Sequence, residues 1–316
     1  MQLLHTLLVA PPATLQRIDV FLSTKLRKFS RNKIRNLTLK NAIIVNGIAV
    51  DADYKVQYND TIEIFAAYKE FNENVTPEAI TLDIIYEDDA IIVINKPQGM
   101  PIHKGLGNFK GTLLNALAYY FQSKNIQINI EEGSVHRLDK GTSGLIVFAK
   151  NKAVRKHLEN QIQNKIMLRK YCALVWGVVK QDEGIIDVPI GRNPENPMII
   201  QAFPLRDEGK EATTNYKVVD RYKFATLVQC ALLTGRTHQI RIHLQYIGHA
   251  ILGDPRYPNN FTFKEIRDFL EEEQITQQFL HAKFLEFEHP VTGERCRFEA
   301  PLTSGFEKMI DSLKTM

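Results

Sequence analysis

Cysteine is scarce in this chain. Cys172, Cys230 and Cys296 are its three thiols in 316 residues, far apart and without a CxxC pair. An odd, dispersed set argues against a disulfide framework and a structural zinc site, and it fits buried, inert thiols in a reducing cytoplasm. Long apolar runs are missing too. No stretch approaches the about 18 uncharged apolar residues of a spanning helix, so no membrane partner is expected. The N-terminal MQLLHTLLVAPP is apolar but short and lacks a basic n-region, so it reads as a strand or arm rather than a leader. Repeats and low-complexity tracts are absent. His238 and His243 stand five apart with no glutamate arranged as in HExxH, which gives zinc hydrolysis little support and leaves both as packing or hydrogen-bonding histidines. Charge of one sign is barely in excess: the net charge is +4 with 24% charged residues. That balance permits a nucleic-acid partner without demanding one. What is present is apolar material, 44% of the chain, enough for one large domain or two unequal ones.

The first unit spans about residues 15–68. Leu15, Ile18, Val20, Phe21 and Leu22 predict an amphipathic helix with Arg17 and Asp19 on its polar side. Ser23 to Lys40 predicts a second helical region, broken near Phe29 and Ser30, with Ser30 as N-cap. It carries Lys25, Arg27, Lys28, Arg31, Lys33, Arg35 and Lys40 and no acid. Asn46-Gly47 then sits between two β-rich runs, the dipeptide favoured in tight hairpins. The polar segment 69–80, with Pro77, reads as a linker. From 81 to 316 the chain is rich in strands: LDIIYED, AIIVINKP, GLIVFAK, RKYCALVWGVV, TNYKVVDRY, ATLVQCALLTG and RIHLQYIG. Fewer helices are expected, at 112–121, 152–164, 239–247 (overlapping the last of those runs) and 263–272. Strands that follow one another through turns favour a mixed, mainly antiparallel sheet of the α+β class.

Three runs could carry chemistry. In VHRLDKGTSG, Arg137, Asp139 and Lys140 crowd three charges into four residues beside a Gly-Thr-Ser-Gly turn. A carboxylate among cations stays ionised and can attack a sugar carbon or an electron-poor ring. A salt-bridged surface loop is the plainer reading of the same residues. In LLTGRTHQIRIHL, Arg236 follows Gly235 near a helix start expected at Thr237, where it could pair with a carboxylate or phosphate or simply lie exposed. In RKYCALVWG, Tyr171 opens a strand after two cations; it is a core tyrosine or one that stacks on a base. Upstream, residues 150–170 hold seven Lys/Arg and one acid, Glu159, a solvated face that also suits a phosphate backbone.

Together and in this order, HRLDKGTSGLIVFAKN, RKYCALVWG and LLTGRTHQIRIHL with LGDPRY resemble the RluA-type pseudouridine synthases, and INKPQGMPIH matches the strand and loop before them. The resemblance covers about residues 80–302. It implies the pseudouridine synthase fold, isomerisation of uridine within RNA, and no metal or organic cofactor. It implies Asp139 as nucleophile and Tyr171 as the tyrosine that stacks on the base and takes the proton from C5. It further implies Arg236 as the arginine paired with Asp139, and Arg137 near the space left by the flipped nucleotide. His136, Gly141 and Thr142 would support that flipped-base site. RIDVFL, FSRNKIRNL and IIVNG resemble the alpha-L RNA-binding module of ribosomal small-subunit protein four. That implies phosphate contacts from Arg17, Lys25, Arg27, Arg31, Lys33, Arg35 and Lys40 and from the Asn46 hairpin.

The expectation is thus a monomeric cytoplasmic RNA pseudouridine synthase, acting on large-subunit ribosomal RNA or on transfer RNA. A non-catalytic RNA-binding or ribosome-assembly factor is the competing class. A nucleoside or glycoside hydrolase would need a second carboxylate, for which Asp254, read as structural, is the nearest candidate. The segment 259–280 reads as a helical insertion with an acidic patch turned away from RNA.

Overall fold

The computed structural model describes residues 2–11, 15–26, 29–66, 75–104, 110–196, 199–205, 208–257 and 263–316. The chain forms two compact units, 1–74 and 75–316.

In the first, β1 (Gln2–Leu8) precedes α1 (Ile18–Lys25) and α2 (Arg31–Leu39); β2 (Ile43–Val45), β3 (Ile48–Ala49) and β4 (Thr61–Ala66) follow. The sheet order is β1-β4-β2-β3, so the N-terminal strand belongs to this unit, ahead of the expected start at 15. Asn46 and Gly47 take φ of 51° and 84°, the left-handed pair a two-residue hairpin needs. Ser30 caps α2 by accepting the Lys33 N–H at 3.3 Å. Ile18, Leu22, Ile34, Ile43, Ile62 and Ile64 are fully buried between helices and sheet. One expectation fails: Asp19 is not on a polar face but is fully buried. Burial is tolerable because three arginines satisfy it, Arg17 at 3.1 Å and Arg31 and Arg35 at 3.0 Å.

The second unit opens with β5 (Ile84–Glu87), β6 (Ile91–Lys96), α3 (Leu113–Ser123), β7 (Ser143–Ala149), α4 (Lys152–Gln163) and β8 (Leu168–Trp176). It continues with β9 (Glu183–Asp187), β10 (Ile190–Arg192), β11 (Ile200–Ala202), β12 (Thr213–Arg221), β13 (Ala225–Leu232) and α5 (Gln239–Tyr246), and ends with α6 (Lys264–Glu272), β14 (Leu280–Glu288), β15 (Arg295–Glu299) and α7 (Ser304–Thr315). Its nine-stranded sheet runs β5-β6-β7-β14-β8-β13-β12-β9, with β15 on β14. Among the described residues only β7 and β14 pair in parallel; the other pairs of this sheet are antiparallel.

Successive side chains of a strand point to opposite faces. On β6, Ile92 and Ile94 join the main core with α3 and α7, while Ile91 and Val93 join a second core with α4. Both faces are therefore covered, which is why the central strands read as unbroken apolar runs. Val75 and Leu82 pack on the main core, and Asn115 Nδ2 donates to the Thr76 carbonyl at 2.7 Å. The second half of the expected linker is thus part of the large unit; residues 67–74 lie outside the described residues. Where the run RIHLQYIG overlaps the helix expected at 239–247, the helix is what forms: Ile240 and Leu244 recur at helical spacing in the main core, and α5 begins at Gln239, not at the earlier start read at Thr237. In the 259–280 insertion α6 buries Ile266 and exposes Glu271, Glu272 and Glu273, while 258–262 lie outside the described residues. No helix among the described residues is long and apolar enough to cross a membrane.

Candidate active site

Asp139 lies on a tight turn, in which the Thr142 N–H donates to the Asp139 carbonyl at 3.0 Å. A Cβ on Gly141 would overlap the amide end of the Gln278 side chain, which would have to shift to admit it. Gln278 Nε2 in turn donates to Thr142 Oγ1 at 3.2 Å. The NKPQG segment holds the turn from its other side. Gln98 Nε2 donates to the carbonyls of Gly141 at 3.0 Å and Gln278 at 2.8 Å, and the Gly99 N–H donates to Lys140 O at 2.9 Å. Fully buried Lys96 donates to the carbonyls of Pro97 (2.8 Å), Met100 (2.9 Å) and Lys140 (3.4 Å). Burial draws its pKa down to about 7, against the pull of Asp139. Three carbonyls match the three N–H donors of an ammonium, so this cage fits the charged form.

The guanidinium on Asp139 is not that of Arg236. Arg241 Nη1 donates to Asp139 Oδ2 at 3.1 Å. The same group makes a fork with Asp254, Nε to Oδ2 at 2.6 Å and Nη2 to Oδ1 at 2.8 Å. Asp254 is fully buried and Arg241 nearly so. Arg236 is exposed at the pocket rim and its Nε donates to the Glu211 carbonyl at 2.9 Å. The reason is positional. Arg236 precedes the helix on its open turn, whereas Arg241 lies within α5, between Ile240 and Ile242, and faces inward. A charged residue inside an apolar helix, with a second carboxylate in LGDPRY downstream, was the available signal.

His238 approaches the same carboxylate, with Nε2 3.9 Å from Asp139 Oδ1, and its Nδ1 is 2.6 Å from the Tyr257 hydroxyl. Burial lowers its pKa to about 4 although Asp139 pulls upward, so the ring is neutral and the approach is no ion pair at neutral pH. Its φ of 59° is a left-handed conformation held at the start of α5, the kind of strain that active sites retain.

Asp139, Arg236, His238 and Arg241 line one cavity of about 430 Å³. Tyr171 forms part of its wall, 4% exposed, and burial raises its phenol pKa. It lies opposite a register shift in β14 between His281 and Phe284, a bulge that re-aims the strand beside the pocket. His136, Arg137 and Thr142 also line the cavity, Arg137 on its exposed side. The structure thus gathers Asp139, Tyr171, Arg137, His136 and Thr142 in one place, with Gly141 shaping the turn beneath. Lys96, Gln278 and Arg241 are the participants that sequence reasoning missed, whereas Asp254, read there as structural, does hold Arg241. Among the described residues no cluster of His, Cys, Asp and Glu could hold a metal.

In the first unit, Arg17, Arg31 and Arg35 converge on Asp19 with side chains 42%, 51% and 47% exposed. That surplus of positive charge leaves guanidinium edges open for phosphate. Lys25 and Lys40 are exposed, and Lys33 lies 5.0 Å over the Phe29 ring; Arg27 and Lys28 lie outside the described residues. The Asn46 amide is committed internally, to Asp60 Oδ1 and the Thr61 N–H, both at 2.8 Å. Its work is to pin the hairpin, not to offer a free amide to RNA.

Residues 90–246 match the family described as RNA pseudouridylate synthase. A pseudouridine synthase of Bacillus subtilis, itself uncharacterised, is 41% identical over 95% of this chain and 94% of its own length. The chain belongs to the RNA pseudouridylate synthase family. A Nitrosomonas europaea protein named ribosomal large subunit pseudouridine synthase D is 36% identical over 95% of this chain and 85% of its own. The solved structure of human RNA pseudouridylate synthase domain containing 4 superposes with TM-score 0.59 at 24% identity, covering 73% of this chain and 92% of that one, a likeness of fold. The enzyme is therefore an RNA pseudouridine synthase with a mixed α+β catalytic sheet.

Proposed function

We propose that this synthase isomerises chosen uridines of large-subunit ribosomal RNA, as a cytoplasmic monomer, with Asp139 as nucleophile acting on a uridine flipped out of its stack. The carrying observation is the carboxylate itself, fixed by Arg241 at 3.1 Å on the wall of a cavity that Tyr171 also lines. Relatives named for the large ribosomal subunit favour that RNA over transfer RNA. Flipping a uridine costs a few kcal/mol, which stacking on Tyr171 and phosphate contacts from Arg236, Arg137 and the Asp19-centred arginines would offset. Hydrolysis is disfavoured by Asp254, whose two oxygens are both taken by Arg241. It is not poised to activate water as a second catalytic carboxylate.

The test is Asp139→Asn, which keeps an oxygen acceptor for Arg241 and so spares the fold. Tritium release from labelled uridine RNA should vanish while RNA affinity stays. A purified variant that still turns over would remove Asp139 from the chemistry. Mapping pseudouridines in RNA from cells lacking the gene identifies the target; loss confined to transfer RNA would replace the ribosomal assignment.

A further inference from the structure

Arg169 takes no part in holding Asp139, yet it is an unusual residue. It is 6% exposed, lines the active-site cavity and makes no hydrogen bond or ion pair among the described residues; its Nε is buried without a partner. It stands two residues before Tyr171 on β8, hence on the same face of the strand. Its guanidinium rests against the Gly235 turn, where a Cβ would stand 3.2 Å from Nη1. His136 is close enough for the Arg169 charge to add to the burial that lowers its pKa to about 3. His136 Nε2 accepts the Val147 N–H at 3.3 Å, so the single ring proton of the neutral imidazole sits on Nδ1. That Nδ1 is likewise buried without a partner. A buried cation and a buried N–H donor left unmatched side by side are costly in a resting protein. Both become satisfied when an oxygen acceptor enters the cavity.

We propose that Arg169 and the His136 Nδ1–H hold a carbonyl oxygen of the flipped uracil and steady the negative charge that the base acquires when its bond to the sugar breaks. This rests on the pseudouridine synthase reading of the same cavity. In the reaction the C1′–N1 bond breaks and its electron pair stays with the base, shared among N1, O2 and O4. The pair needed for the new C1′–C5 bond then comes from the base, C5 loses its proton and N1 gains one, so no atom or electron is lost. Had Asp139 first added to C6, the excess charge would fall on O4 as well. A fixed, buried guanidinium acts where this charge develops, without reorganising at the moment of reaction. Arg169 differs from Arg241 in this respect: Arg241 is already neutralised by two carboxylates, and Arg169 keeps its charge for the substrate.

The experiment uses the full enzyme and one RNA synthesised with uridine, 4-thiouridine or 2-thiouridine at the target position, because sulfur accepts hydrogen bonds poorly. Wild type on the uridine RNA, beside inactive Asp139→Asn, checks the underlying reaction in the same assay, so the two readings fail separately. Arg169→Gln should cut single-turnover rate by about 10²-fold with RNA affinity unchanged. The wild-type penalty for one of the two sulfurs, roughly tenfold for one charge-assisted bond, should shrink toward unity in the variant. Thermal stability should rise, because an unmatched buried charge has been removed. Arg169→Lys should recover part of the rate but not the sulfur discrimination, which needs the fork. Gly235→Ala, which presses on Nη1, should show a milder form of the Arg169→Gln pattern. Equal losses on all three RNAs with a lowered melting temperature would make Arg169 structural and overturn the proposal. A loss of RNA affinity with a shallower salt slope and intact sulfur penalty would overturn it in favour of a phosphate contact.

Discussion

Replacing Arg241 with methionine removes one guanidinium from between two carboxylates, one fully buried and the other 14% exposed. Removing one partner of a buried pair costs about 3–5 kcal/mol, because the remaining charge stays desolvated. Here the fully buried Asp254 carries most of that cost. Against a typical total stability of about 5–15 kcal/mol the variant still folds in the cold. Its catalytic loss has a separate origin: Asp139 loses the bond that aims it, and a misplacement of about 1 Å costs on the order of 10²-fold in rate. Arg241→Lys keeps a charge but cannot make the fork to Asp254 and reach Asp139 together, so it should fall between wild type and methionine. Arg236→Ala is the control. As an exposed rim residue it should change stability by no more than about 0.5 kcal/mol and reduce the salt slope of RNA binding by about 0.9. Single-turnover rates with saturating RNA, beside thermal melts, separate these effects. If Arg236→Ala destroyed the rate and destabilised the fold while Arg241→Met did neither, the pairing of Asp139 with Arg241 would be refuted.

Gly144→Ala should abolish soluble folding: φ is +105° and a Cβ would overlap the Ala282 backbone across the parallel β7–β14 pair, where no side chain can yield. A soluble variant with an unchanged melting temperature would sink this. Stability should drop steeply as pH falls from about 6.5 to 4. His238 and His281 have pKa values lowered to about 4, so the native rings are neutral while unfolded rings take up protons across that window. His281 alone accounts for on the order of 3 kcal/mol, and a flat chemical-denaturation midpoint over that range would contradict it. Deleting residues 1–74 should weaken RNA affinity and lower its salt slope by roughly 0.9 for each phosphate that the unit neutralises, while leaving Asp139 chemistry measurable at high enzyme concentration. Unchanged affinity and slope would deny the N-terminal unit an RNA role.

Much of the fold was legible where pattern and chemistry agreed. Asn46-Gly47 announced a hairpin, Ser30 a helix start, and the runs around Ile92 and Val147 strands, which the fold then covers on both faces. What escaped were residues whose role depends on distant partners. Asp19 looks like a helix's polar side until Arg31 and Arg35 arrive from the next helix. Arg236 follows a glycine and looks free to pair, but the turn geometry sends it to the Glu211 carbonyl. Arg241 looks like one more residue of an apolar run until Asp139, 102 positions away, meets it. α7 escapes the sequence reading altogether, although Thr303 caps it and Phe306, Met309 and Leu313 bury one side.

These long-range partners bear on the proposal that Asp139 is the one reacting carboxylate. Asp139 sits on a turn gripped by the 96–99 segment, by Gln278 and by α5, three parts of the chain that meet only in the fold. Each grip spends a donor on a backbone carbonyl, on the Thr142 hydroxyl or on one carboxylate oxygen, Oδ2, while among the described residues Oδ1 has only the neutral His238 ring at 3.9 Å. A nucleophile must keep a lone pair directed at its substrate while its position is held by other atoms. Asp254 shows the opposite arrangement: its side chain is fully buried, both oxygens accept from Arg241, and Oδ1 also accepts from the Arg256 and Tyr257 N–H groups. The two carboxylates share one arginine, and burial divides their roles. One stores the negative charge that keeps Arg241 in place, and the other, facing the cavity, retains an oxygen for the proposed attack. An isomerase that must rejoin the fragments it separates has use for one reactive carboxylate and no use for a second that would activate water.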